Sequence, residues 1–320
     1  MTALTVAVAD YWKDLEPRTD PFLRTILSLT EAEFVDDPAA ADLILFSVFG
    51  RRNGVARGTR LGFSGEPRIA GGGNWTIDWR HVGSQHHLRF PYWAHHMLRY
   101  HDGWTTPPEE VGSRFCNFVY SNHACGMRNA FFSMLTRERQ VDAPGRVFNN
   151  VSSERLGART DPDWPTKKIE ALTDYRFTIA FENEEHVGYT TEKIVDAWLA
   201  GSVPIYWGNP AIEADFAPGS YLSFYEAGSL GALVREMLAV DGDPARYAEI
   251  AARNPFRTGE LGEALDRYVA ELTSFLERVI EDAVAHRGAP RRSFVARNSA
   301  HLRSAFVDLR KQAVRILART

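Results

Sequence analysis

Apolar runs rich in β-branched and aromatic residues recur along the chain. They are LTVAVAD (4–10), DLILFSVFG (42–50), RLGFSG (60–65), FCNFVYSN (115–122), RFTIAFEN (176–183) and VPIYWGN (203–209). Each is short and nearly continuous in hydrophobicity, as a strand buried in a parallel sheet is. Helical spacing of apolar positions fills many of the gaps, at 128–138, 166–173, 191–200, 229–239 and 259–282. The alternation predicts an α/β protein with parallel sheets covered on both faces. A Pro-rich break, GWTTPPEEVGS (103–113), reads as a linker. It divides the chain into an N-terminal domain (1–108) and a C-terminal domain (112–285), followed by a basic tail (286–320). Two such domains leave a cleft at the carboxyl ends of their strands, where ligands bind in open α/β sheets.

Composition narrows the class. The 320 residues are 44% hydrophobic and 24% charged with a net charge of −4, a soluble globular balance with nothing that points to nucleic acid. The two cysteines, Cys116 and Cys125, supply neither a disulfide framework nor zinc-ligand spacing. MTALTVAVADYWKDLEP has no basic start and reads as a first strand rather than a leader. No apolar run approaches the ~20 residues of a membrane span. These features lead us to expect a cytoplasmic protein. Asn74-Trp-Thr and Asn150-Val-Ser match glycosylation sequons, which carry no meaning without secretion.

The stretch FENEEHVGYTTEKIVDAWLAGSVPIYWGNP (181–210) concentrates the chemistry. It reads as strand, loop, helix, strand. Thr190 or Thr191 suits the N-cap, Ile194, Ala197 and Trp198 share one helical face, and Gly201 suits the C-terminal stop. A helix N-terminus favours anions, yet Lys193 sits in the first turn, where a cation is unfavourable unless an anion lies beside it. Glu192 would repel a phosphate but could accept from the hydroxyls of a ribose. The pair suits a nucleotide, with Lys193 on a diphosphate and Glu192 on sugar hydroxyls. The same residues also fit an exposed turn with a Glu-Lys ion pair.

The stretch closely resembles the signature of the α-1,3/4-fucosyltransferases, family 10 of the glycosyltransferases. Its Phe-Glu-Asn, Gly-Tyr-x-Thr-Glu-Lys-Ile and Pro-Ile-Tyr-Trp-Gly-x-Pro elements are in order. FSGEP (63–67), LRFPYW (88–93), YSNHACGMRNAFFSML (120–135) and KKIEALTDYRF (167–177) resemble further family segments. The similarity runs from residue 60 to 215, and the first 50 residues and the tail carry little of it. The resemblance implies two Rossmann-like domains facing a cleft, the GT-B type of glycosyltransferase architecture. It implies inverting transfer of L-fucose from GDP-fucose to a GlcNAc- or LacNAc-type oligosaccharide acceptor in α-1,3 linkage, with the donor in the C-terminal domain.

Site roles follow residue by residue. Glu66 matches the family's Gly-Glu motif and is the expected general base; Asp78 is the fallback. Arg128 and Lys193 match phosphate-binding positions, where fixed cations stabilise the leaving diphosphate. Asn183, Tyr189 and Glu192 match positions expected to bind nucleotide and fucose. Lys168, Glu182, Thr191 and Asn209 are weaker donor-site candidates, and Glu182 fits a structural hydrogen-bonding role equally well. Another GDP-sugar donor, such as GDP-D-arabinose, or a catalytically dead glycan- or nucleotide-binding homologue remains an alternative.

Other patterns carry less. AGGGNW (70–75) lacks the Lys-Ser/Thr of a phosphate-binding loop and is expected to be a mobile loop. The tandem pairs His86-His87 and His95-His96 have few carboxylates nearby in sequence and are expected to be packing or surface residues. No Asp-x-Asp occurs, so neither a metal nor another cofactor is expected. From Arg287 onward nine Lys/Arg face one acid, so the tail carries +8 and the rest of the chain −12. In residues 301–320, Leu302, Phe306, Leu309, Ala313, Ile316 and Leu317 recur at helical spacing among five basic residues. The segment is expected to lie on an anionic membrane surface, making the protein peripheral to the inner membrane face, or to dock on the acidic body.

Overall fold

The computed structural model describes residues 3–12, 15, 19–51, 58–100, 107–108, 110–257 and 259–287. Part of the linker (103–106 and 109) and all of the tail beyond residue 287 lie outside these, and so does the segment 301–320 expected to lie on a membrane surface or dock on the body.

Two fully parallel sheets form the frame. The first has the order β2-β1-β3-β4-β5-β6, with β1 Leu4–Ala9, β2 Ala32–Phe34, β3 Leu43–Phe46, β4 Thr59–Ser64, β5 Trp75–Asp78 and β6 His87–Arg89. The second has the order β10-β9-β8-β7, with β7 Arg114–Asn117, β8 Tyr175–Phe181, β9 Val203–Trp207 and β10 Leu222–Ser223. In register, Phe177, Ile179 and Phe181 of β8 lie beside Val203, Ile205 and Trp207 of β9. These side chains meet Phe131 and Leu135 in the core of the second sheet.

Helices alternate with strands in the second half as expected. There α3 spans Gly126–Glu138, α4 Trp164–Leu172 and α5 Glu192–Leu199. A short α6 (Phe224–Ala227), then α7 (Leu230–Asp241) and α8 (Pro244–Ala251), follow β10. The first half departs from the pattern. Among the described residues only α1 (Pro21–Leu29) and α2 (Tyr92–Tyr100) lie within it. Asp20 caps α1 by accepting from the Phe22 and Leu23 amides, with Pro21 in the first turn. One face of this sheet carries a large core; the other holds a small cluster of Ala7, Ala9, Ala41 and Ile44 with Val35 against it.

The long helix α9 (Leu261–Ala285) corrects the expected division at 112–285. It packs on α1, α2, β4 and β6 of the first half. Leu261, Tyr268, Leu272, Phe275, Leu276 and Val279 make a buried stripe in the same core as Phe22, Leu61 and Trp75. That stripe follows helical period, and the first sheet supplies the apolar face it needs. Asp282 accepts from Thr59 Oγ1 (2.7 Å) and Trp75 Nε1 (3.2 Å). A further link is the Arg89 guanidinium, which binds Asp215 at 2.5 and 2.9 Å and Tyr268 at 3.2 Å. No helix among the described residues is long and apolar enough to cross a membrane.

Candidate active site

The carboxyl ends of the two sheets face each other. From the second sheet, β8 is followed by Glu182 and Asn183, and the loop to α5 presents Tyr189 and Thr191. From the first, Glu66 lies two residues past β4 and Trp79 directly follows β5. The Trp79 ring stacks on His186 at 5.3 Å and meets Tyr189 edge-on at 5.6 Å, while its indole N–H donates to the Glu66 carbonyl at 3.0 Å. Gly188 has φ 90°, and a Cβ there would strike the Trp79 carbonyl, so glycine permits the close approach of the two halves. On the α2 side, the Trp93 amide donates to the Thr190 carbonyl at 3.4 Å.

Glu182 organises the loop. It is fully buried and accepts from the Thr191 amide (2.7 Å), the Thr191 hydroxyl (2.7 Å) and Lys193 Nζ (3.0 Å). This refines the expected N-cap. Thr191 occupies the position but makes no side-chain cap, because its hydroxyl is spent on Glu182. The N-cap amide is taken by the Glu182 carboxylate. Glu182→Ala should leave Lys193 without its buried partner, at a cost of about 3–5 kcal/mol. Calorimetry should show a melting temperature lower by roughly 10 °C.

Asn209 is corrected from a donor-site candidate to a loop staple. It is fully buried, and its side chain accepts from the Gly188 (2.7 Å) and Ala211 (2.9 Å) amides while donating to Thr190 (3.0 Å). Three of its four hydrogen-bonding positions are used within the protein, which leaves one N–H of the amide. Tyr189 is also buried. Burial pushes its phenol up, and the carboxylates of Glu182, Glu66 and Glu192 push it further.

A second buried network lies below. Lys168 Nζ reaches Asp196 at 2.7 Å and Glu192 at 3.7 Å. Burial opposes the charge on Lys168, but the two carboxylates outweigh it and raise its pKa. Burial and the neighbouring Glu192 push Asp196 up to about 6, against the pull of Lys168. Burial would raise Glu192 as well, yet Lys193 and Lys168 prevail and hold it well below the carboxylate range. Lys193 is raised in the same way, burial being overcome by Glu182 and Glu192. A small cavity lined by Asn117, Tyr120, Lys168, Thr178 and Lys193 adjoins the two lysines.

Arg128 stands apart from these pairs. It lies in the first turn of α3 and is fully buried. Its guanidinium donates to Asn183 Oδ1 (3.1 Å) and the Asn122 carbonyl (2.6 Å) and lies 3.9 Å over the Tyr120 ring. Its Nε has no partner, and among the described residues no carboxylate lies within ion-pairing distance of it. A buried charge held only by neutral groups is costly. The N-cap of α3, Cys125, makes no side-chain bond, and space is open beside Gly126. A helix start without a side-chain cap and a guanidinium without a carboxylate thus belong to the same first turn, an arrangement that receives anions.

Glu66 lies within electrostatic reach of Lys193, Arg68 and Arg159, and of the Glu192 carboxylate. It is half-buried. Burial pushes its carboxyl above the ordinary range, and Lys193 draws it only part of the way back. The fallback Asp78 is excluded as a base. It is buried, gripped by Arg80 at 2.7–3.1 Å and by His87 at 2.9 Å. Burial would raise its carboxyl, but those bonds hold it below the usual range. The tandem histidines prove to have carboxylate neighbours after all. His87 faces Asp78, His95 faces Asp20 (3.1 Å), and His96 lies 3.9 Å from Asp196. His95 and His96 point to different acids, as adjacent helical residues do. Among the described residues no group of three or more His, Cys, Asp or Glu is placed to hold a metal ion.

Sequence reasoning missed Trp79, Asp196 and Arg159. Arg159 hydrogen-bonds Ser121 and acts electrostatically on Glu66. It lies in a loop with no periodic signal. Only the packing of three distant segments reveals these groups.

Residues 112–255 match the family described as Glycosyltransferase family 10 (fucosyltransferase) C-term. The chain carries a domain of this family. The family 10 domain contains Arg128, Glu182, Lys193 and the second sheet. Alpha-(1,3)-fucosyltransferase FucT of Helicobacter pylori is 28% identical over 178 residues, 55% of this chain and 35% of that protein. Alpha-(1,3)-fucosyltransferase 7 of Bos taurus is 27% identical over 212 residues, 65% of this chain and 56% of that one. The chain thus spans about a third of the first relative and somewhat over half of the second. A crystal structure of an alpha1,3-fucosyltransferase superposes with TM-score 0.71 at 22% identity, over 87% of this chain and 90% of that one. A structure titled as alpha1,3-fucosyltransferase with GDP-fucose gives 0.66 at 19% identity over the same shares. At these identities the likeness concerns the fold, which extends beyond the family 10 domain to the first sheet and α9.

Proposed function

We propose that this chain transfers L-fucose from GDP-fucose, with inversion, to a hydroxyl of a GlcNAc- or LacNAc-type glycan in α-1,3 linkage. The observation that carries the reading is Arg128, a buried guanidinium without a carboxylate beside the open N-terminus of α3. A nucleoside diphosphate supplies the missing anion. Lys193 adds a second cation, and Arg159 a third at the rim. The Glu66 carboxylate takes the proton of the acceptor hydroxyl. The acceptor oxygen attacks fucose C1 on the face opposite the diphosphate, the bond from C1 to the phosphate oxygen breaks, and GDP leaves with its charge met by the cations. Glu182, Asn209 and Trp79 hold the loop and the base without touching the reacting atoms. The relatives' names, α-(1,3)-fucosyltransferases, support the sugar and the linkage, and a structurally similar fucosyltransferase solved with GDP-fucose supports the donor.

The test is transfer from GDP-fucose to N-acetyllactosamine, with product linkage read by NMR. No fucosylated product, or a faster reaction with GDP-D-arabinose, would overturn the donor assignment. Fixed cations already supply the charge that a bound metal would bring to the diphosphate. Activity should therefore persist in EDTA; a complete loss restored by added divalent metal would contradict this.

A further inference from the structure

The carboxyl edge of the first sheet carries an aromatic strip that none of the roles above uses. Trp12 follows β1, Phe49 follows β3, and Tyr92 opens α2. The Trp12 ring lies 5.8 Å from Tyr92 and 5.9 Å from Phe49. At its inner end the strip reaches Gly65, the neighbour of the proposed base. A Cβ on Gly65 would collide with the Tyr92 ring, and Tyr92 is close enough to Glu66 to feel its charge. At its outer end it is open, with Phe49 44% exposed and Trp12 half-buried. The backbone under Phe49 is fixed by a bond from its amide to the Asp10 carbonyl at 3.1 Å, and Asp10 itself is held at φ 56°.

A large aromatic ring left facing water on a tethered backbone suits a ligand with one apolar face. A pyranose is such a ligand, presenting C–H groups on one face and hydroxyls at its edge. Phe49 is the one exposed ring of this group among the described residues, and Trp12 and Tyr92 carry the line inward from it, which fits a short chain of sugars better than a broad partner surface. Two ring-to-ring steps separate Phe49 from Tyr92, the scale of a disaccharide. We propose that Trp12 and Phe49 stack the sugar next to the accepting residue, a β-galactosyl unit in a LacNAc-type acceptor. The inference rests on the fucosyltransferase reading and adds the residues that select a disaccharide over a free monosaccharide.

The test compares N-acetyllactosamine with free N-acetylglucosamine as acceptors for the full-length chain. Phe49→Ala is expected to raise KM for the disaccharide about three- to tenfold. KM for the monosaccharide, KM for GDP-fucose and kcat should stay as in wild type. Trp12→Phe should retain most of the preference. An unchanged disaccharide KM in Phe49→Ala, or an equal rise for both acceptors, would overturn the proposal. If the wild type transfers no fucose, the parent reading fails instead. Saturation-transfer NMR of N-acetyllactosamine then still reports stacking, and equal signals from wild type and Phe49→Ala would sink it on its own.

Discussion

Glu66→Gln should retain GDP-fucose binding and lose at least about 10²-fold in transfer rate, the scale of a positioned general base. The substitution keeps size and hydrogen-bonding shape and removes only the ability to take a proton. The pH profile gives an independent check. Burial raises the Glu66 carboxyl, and the base is active only when ionised. Transfer should therefore rise with pH through an acid limb lying above the 4.5 of an ordinary glutamate. In Glu66→Gln the residual rate should lack that limb. Transfer within about tenfold of wild type, or an acid limb that survives the substitution, would mean that another group takes the proton.

Arg128→Met should weaken GDP binding by roughly 30- to 10³-fold, the usual effect of deleting a buried partner of an anion. The same change should leave the melting temperature unchanged or raise it. Arg128 is buried without a carboxylate, and an apolar side chain of similar length in place of a buried charge is commonly neutral or stabilising. The combination matters because a structural arginine would behave oppositely, losing stability and sparing affinity. Calorimetric titration with GDP and a thermal scan of the two proteins decide the matter. Equal GDP affinities would remove Arg128 from the donor site.

The second sheet was legible in the sequence because its strands are continuous apolar runs and its helices carry clean periodicity, as in RFTIAFEN and EKIVDAWLA. The first sheet was harder to read. Its strand β6 has three residues, and in α2 two histidines sit between the apolar positions Trp93, Ala94, Met97 and Leu98. The residue types at the site were visible in the signature, but their partners were not. Glu182 and Lys193 lie eleven positions apart and meet only because the loop folds back. Asn209 reads as a ligand-binding amide until its contacts with Gly188, Ala211 and Thr190 are seen. The identity of Asp78 suggested a base, and only Arg80 and His87 reveal that it is occupied.

The return of α9 to the first sheet sets the order in which the chain can be completed during synthesis. Domains emerging from the ribosome generally fold N-terminal first. Here Thr59 and Trp75 find their hydrogen-bond partner in Asp282, more than 200 residues later. The core around Leu61 and Phe22 stays uncovered until Phe275 and Val279 have been made. One face of the second sheet, by contrast, draws its core from a continuous stretch, Phe115 to Ala251, while Ala180 and Tyr206 on its strands join the large core that α9 completes. That one face can close while the first sheet still lacks its covering helix. The half translated first is therefore sealed last, and it carries an exposed apolar face for as long as the ribosome takes to reach α9.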